Sequence, residues 1–127
     1  MKLPRIWSST DATQQQLATW FLSSLGQEFL ALEKDLLADI LPDLFGYHAL
    51  QLGQLTPSYL LQGSRILHKI LTDKQPLAVS DLSPLAALPE QLPFANDSID
   101  VVLIHHLLEV VNRPHAVLRE AARVTIP

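Results

Sequence analysis

Two residues near the middle of the chain have the types and spacing of a nucleotide-type cofactor site. Gly53 closes one short strand-like run, Tyr47-His48-Ala49-Leu50-Gln51-Leu52, and Asp73 closes the next, His68-Lys69-Ile70-Leu71-Thr72. A strand that runs into glycine brings backbone close to a ligand with no Cβ in the way. An acid ending the neighbouring strand can accept hydrogen bonds from both hydroxyls of a ribose. In an open parallel sheet both positions lie at the carboxyl ends of strands, where ligands bind. A plainer account stands beside this one: glycine ends many strands, and Thr72-Asp73-Lys74-Gln75-Pro76 is ordinary turn composition. His105, His106 and Glu109 raise general-base or metal chemistry. Adjacent residues on a strand point to opposite faces, and His106 with Glu109 supplies only two ligands. No metal site is therefore expected, and His106 remains as the candidate pocket base. The chain has no Gly-x-Ser-x-Gly, P-loop or His-Glu-x-x-His motif.

The elements that must position these residues follow from the apolar pattern. Residues 1–9 read as an irregular lead-in. Thr10 or Asp11 caps a first helix, Gln14 completes a capping box with Asp11, and Leu17, Trp20 and Phe21 form its apolar face. A second helix runs through Leu25, Phe29, Leu32, Leu36, Leu37 and Ile40, with Pro42 and Gly46 stopping it. Its leucine stripe is expected to be core, a lid over the sheet, or a dimer interface. Strands are expected at 47–53, 68–73, 77–79 and 101–104, with a short helix over Tyr59-Leu60-Leu61 capped by Thr56 or Ser58. Pro84, Pro89 and Pro93 mark residues 80–98 as a long connection. Asp100 reads as a backbone-orienting acid and Asp97-Ser98 as a solvated turn. Asn112 and Pro114 start a last helix, with Val117, Leu118, Ala121, Ala122 and Val124 on its buried side and His115 at the surface. Strands alternating with helices predict a parallel α/β sheet.

Composition bounds the function. The chain has 127 residues, 48% of them hydrophobic, enough for one folded unit. Net charge is −4 with no Lys/Arg cluster, which argues against nucleic acid. There is no cysteine, so disulfides and thiolate metal sites are excluded. No apolar leader and no membrane-length run is present, and a soluble, cytoplasmic protein is expected.

The run Leu92-Pro93-Phe94-Ala95-Asn96-Asp97-Ser98-Ile99-Asp100-Val101-Val102-Leu103-Ile104-His105-His106-Leu107-Leu108-Glu109 resembles a characteristic segment of class I methyltransferases that use S-adenosylmethionine (AdoMet), in particular the type 11 class. The resemblance extends over roughly residues 25–127. It implies an N-terminal helical segment, residues 1–45, and a partial Rossmann-like AdoMet-binding domain, residues 46–127, with parallel strands in the order 3-2-1-4. It places Leu50–Pro57 on the glycine motif, where Gly53 matches the first glycine, Gln51 replaces the acid, and Leu55 and Pro57 replace the other glycines. Val110 replaces the histidine after the acid Glu109. The resemblance assigns cofactor contact to Gly53, Gln54, Asp73, Glu90, Leu92 and His105, with residues 89–94 near the adenine. It leaves strand 4 as an open apolar edge, an association hazard. Two functions follow as expectations: AdoMet-dependent methyl transfer to an unidentified acceptor, or a non-catalytic methyltransferase remnant that serves as an interaction or dimerisation module. Either a homo-oligomer or a partner is expected to cover the edge.

Overall fold

The computed structural model describes residues 9–55, 60–78 and 81–127, with side chains from residue 12 onward. The expected lead-in (apart from Ser9), the cap at Thr56 or Ser58, Pro57 of the glycine motif, and Val79 of the expected third strand lie outside these residues. Helices α1 (Ser9–Phe21) and α2 (Ser24–Ile40) precede the strands β1 (His48–Leu52), β2 (His68–Asp73), β3 (Leu82–Ala86) and β4 (Val101–Ile104), and α3 (Pro114–Val124) closes the order. Thr10 and Asp11 lie inside α1 rather than at its cap.

The four strands form one parallel sheet in the order β3-β2-β1-β4, as the resemblance implies. Leu50, Leu52 and Ile70 pack with Val117, Ala121 and Val124 of α3. Ala49, Leu71 and Leu82 pack on the other side with Leu41 and Leu61. Both faces of β1 and β2 are thus covered, which is why these strands read as near-continuous apolar runs. The third strand is a correction: it lies at Leu82–Ala86, not 77–79, and Leu77 and Ala78 have no regular structure. Its Ser83 and Pro84 look like a loop in sequence. Proline is tolerated because β3 is an edge strand. Leu60 and Leu61 of the expected short helix lie in a turn over residues 60–63, and Tyr59 lies outside the described residues.

The core and lid readings of the α2 leucine stripe are a second correction. Leu25, Leu32 and Leu36 are each more than 60% exposed, and Phe29 and Ile40 also face outward. The inward face is Gly26, Leu30, Glu33 and Leu37. The junction with α1 sets this rotation. The Ser23 hydroxyl oxygen accepts from Gly26 N at 3.1 Å, and Gln27 Nε2 donates to Phe21 O at 2.6 Å. A Cβ on Gly26 would stand 2.2 Å from Trp20 O, so only glycine lets α2 turn this side towards α1. On α3, Arg113 rather than Asn112 occupies the N-cap, and Leu118 and Ala122 are exposed.

Asp100 ties the entrance of β1 to that of β4. Its Oδ2 accepts from the amides of Tyr47 at 2.7 Å and His48 at 2.9 Å. These amide bonds, His48 foremost, hold its carboxyl below the usual carboxylate range. A carboxyl with a lowered folded pKa stabilises the native state above its unfolded pKa, and that contribution disappears as pH falls through the lower folded value. Asp100→Asn is expected to cost about 1 kcal/mol at neutral pH, the difference between a charged and a neutral acceptor. Urea unfolding of both proteins at stepwise lower pH should show the gap closing below the ordinary carboxylate pKa. A gap unchanged at acid pH would mean that the charge of Asp100 contributes nothing.

Candidate functional site

The β1 and β2 turns meet at a cavity at the carboxyl end of the sheet. Gly53 adopts φ +81°, a conformation that favours glycine, and its amide donates to Thr72 O at 2.7 Å. Asp73 lies beside it. The Asp73 carboxylate accepts from Gln54 N at 3.4 Å and Gln75 N at 3.3 Å. Both bonds are long, so the carboxylate keeps strong acceptor capacity for another donor. Leu88, Pro89 and Glu90 come from the connection after β3, and Leu107 from the segment after β4; all of them line the cavity.

The loops around this cavity are tied down by side chains. Gln54 reaches across to the β2 loop, where its Oε1 accepts from Leu77 N at 2.7 Å and its Nε2 donates to Leu77 O at 3.2 Å. Beyond Glu90 the chain is clamped by Arg123. Its guanidinium donates to Leu92 O and Phe94 O, at 2.9 and 2.8 Å, and pairs with Glu120. Glu120 in turn accepts from Leu92 N at 2.8 Å. The Arg123 hydrogen bond and that amide hold the Glu120 carboxyl below its ordinary pKa.

Residues 59–127, more than half of the sequence, match the methyltransferase domain family. The chain belongs to that family. It is 35% identical over 83 residues to the uncharacterized protein YafS of Escherichia coli (strain K12), a match over 65% of this chain and 33% of YafS. The chain therefore spans about one third of that relative. In fold it resembles the putative methyltransferase solved in complex with the Haloferax volcanii Trm112 methyltransferase activator (TM-score 0.66, 23% identity, covering 89% of this chain and 57% of that one). It also resembles YcgJ of Bacillus subtilis (TM-score 0.64, 16% identity, covering 76% and 47%).

In this methyltransferase domain, Gly53, Asp73 and Glu90 come together on one cavity. The other residues assigned to the site lie elsewhere. The Gln54 side chain clasps Leu77, and Leu92 is buried in the core beside α3. Leu55, which replaces a motif glycine, is buried with Phe21, Leu30 and Leu60 under the helices. His105 and His106 sit away from the cavity, against α2. His105 Nε2 lies 3.1 Å from Glu33 Oε1, His106 Nε2 lies 2.8 Å from Glu33 Oε2, and His106 Nδ1 lies 2.6 Å from Glu109 Oε2. The expected divergence of adjacent histidines is a further correction: β4 ends at Ile104 and His106 takes φ +52°, so both rings reach Glu33. Burial holds the His105 imidazole below its ordinary pKa despite Glu33, so it is neutral and donates through Nε2. Burial also opposes charge on His106, but the hydrogen bonds to Glu109 and Glu33 outweigh it and raise the pKa.

Four polar cavity residues, Gln14, Thr72, Lys74 and Asn112, carry no site signal in the sequence. Gln14 of α1 and Asn112 before α3 both line the cavity. Each was given a local capping role, because only the tertiary arrangement brings those segments over the strand ends. No helix of the described residues is long and apolar enough to cross a membrane.

Proposed function

We propose that this domain binds AdoMet at the Gly53–Asp73 cavity and supports methyl transfer to an acceptor molecule. The carrying observation is that the Gly53 turn and the Asp73 carboxylate face one cavity, while Leu55, the side chain most able to fill it, is turned into the core. The residues present fit such a ligand. Gly53 offers bare backbone, Asp73 can accept from the ribose diol, and Leu88, Pro89 and Leu107 supply apolar walls for a base. Glu90 adds a second acceptor at the rim. When bound, AdoMet supplies an electrophilic methyl group on sulfur. The protein's share is to orient that group and keep water from it, which requires positioning rather than a nucleophilic side chain. Gln54 is a positioning residue in this scheme, since it fixes the two cavity loops against each other.

Calorimetric titration with AdoMet and with its demethylated product tests the reading. Micromolar binding is expected, about −8 kcal/mol. Asp73→Ala should weaken it about tenfold to a hundredfold, the loss of hydrogen bonds to a charged acceptor. No heat from a sample shown to be folded would remove the proposal.

A second reading is favoured by a specific observation. Leu22, Leu25, Phe29, Leu32 and Leu36 expose an apolar face on the helices, and among the described strands β4 pairs on one side only, with the Ile99–Thr125 bridge at its start. Under this reading the domain serves as an interaction or dimerisation module without turnover, and the solved complex of a related fold with an activator protein is compatible with it. Light scattering separates the cases: a concentration-independent monomer that binds AdoMet supports the first, and a stable dimer with no AdoMet binding supports the second.

A further inference from the structure

Glu33 is the one acid on the inward face of α2, among Gly26, Leu30 and Leu37. Its side chain is 24% exposed and it meets two imidazoles, of which His105 is 7% exposed. Burying a carboxylate there is costly unless a group of opposite character meets it. One ligand atom each from Glu33, His105 and His106 lies within 4.8 Å of the others. The backbone at His106, φ +52°, is unfavourable for a side-chain-bearing residue, and it is this conformation that turns both rings onto Glu33. The opposite nitrogen of His106 is held by Glu109 at 2.6 Å. A carboxylate on the far nitrogen is how metal-binding imidazoles are oriented, leaving Nε2 to face the ion. Phe21 packs against both rings, with centroids at 5.9 and 5.1 Å, and restricts their rotation.

We propose that Glu33, His105 and His106 bind a divalent transition-metal ion of the zinc class, through a Glu33 carboxylate oxygen and the two Nε2 atoms, with a fourth position left for water. Two imidazoles and one carboxylate form a recurrent donor set for Zn²⁺, whereas Mg²⁺ and Ca²⁺ select oxygen donors. Donors around a tetrahedral zinc ion stand about 3.3 Å apart, given its bond lengths. The 3.1 and 2.8 Å separations run to different Glu33 oxygens, Oε1 to His105 and Oε2 to His106, and the three donors lie within 4.8 Å of one another, so they close by up to about 1.5 Å to share an ion. The ion would replace the protons now held between the imidazoles and Glu33. It would join α2 to the segment after β4, next to Leu107 and the cavity wall. The site shares no residue with the cavity and does not depend on the cofactor reading.

The test uses untagged, chelator-treated protein titrated with Co²⁺ by visible absorption and with Zn²⁺ by calorimetry and thermal unfolding. One equivalent is expected to bind, with a tetrahedral cobalt spectrum and a higher unfolding temperature with zinc. Glu33→Gln and His106→Asn should each weaken binding at least tenfold. Glu109→Gln, at a more exposed side chain that should leave folding intact, should weaken it about tenfold to a hundredfold. His48→Gln is the control, because His48 and His68 form an exposed pair with Nδ1 atoms 2.7 Å apart at the other end of the sheet. Binding that disappears in this control, binding that persists in Glu33→Gln, or no saturable binding by folded protein would each overturn the proposal.

Discussion

Gly46→Ala is expected to remove most of the stability of the domain. Gly46 has φ +147° and sits against the side chain that joins β1 to β4. A Cβ there would stand 2.1 Å from Asp100 Cγ and 2.5 Å from Oδ1. Asp100 cannot retreat without releasing the amides of Tyr47 and His48. The backbone strain costs about 1–3 kcal/mol and the lost hydrogen bonds about 1.5–3 kcal/mol each. Set against a total stability of roughly 5–15 kcal/mol for a domain, that removes most of the margin. Gly63→Ala is the comparison: its Cβ would find Ala38 Cα at an ordinary 3.7 Å, and the unfolding midpoint should barely move. Far-ultraviolet circular dichroism and urea titration of the pair settle it; a cooperative, parent-like transition in Gly46→Ala would show that the Asp100 junction tolerates rearrangement.

Gly53→Val is expected to abolish detectable AdoMet binding and to lower stability by about 1–3 kcal/mol, the cost of a side chain at positive φ. The Cβ would sit 3.2 Å from Leu107 Cδ1, a tight contact with a flexible side chain. The two methyl groups beyond it enter the cavity. Gly53→Ala carries the backbone strain without those methyls, so it should lose stability like valine but keep part of the affinity. Equal affinity in parent and Gly53→Val would place any cofactor somewhere other than this turn.

These glycines show where the sequence was legible. The boundaries of β2 and β4 and the start of α3 at Pro114 match what their apolar runs and proline signal implied. Gly53 and Asp73 were readable as a pair because strand ends converge in any parallel sheet, whereas Glu90 followed only from the family resemblance. Gly46 was readable only as a helix stop, since nothing local reveals that Asp100 lies against it. The same limit hid the rotation of α2. Its strongest apolar periodicity faces out, because one contact glycine, Gly26, decides which side meets α1. The histidine cluster was missed for a backbone reason: strand alternation was carried past Ile104, where the strand has already ended. β3 was displaced because an edge strand, paired on one side only, can carry Pro84 and polar residues that elsewhere signal a loop.

The two borders of the sheet are unlike. On one, Pro84 offers no amide hydrogen to an incoming strand, and Ser83, Leu85 and Ala86 are exposed around it. On the other, Val101 to Ile104 are all apolar and half-buried. Runaway stacking of copies into a fibre needs two receptive borders per molecule, and the β3 border is blunted at Pro84. Two copies that join β4 to β4 across a twofold axis consume both receptive borders at once. The Pro84 border therefore stops any such pairing from propagating along the sheet.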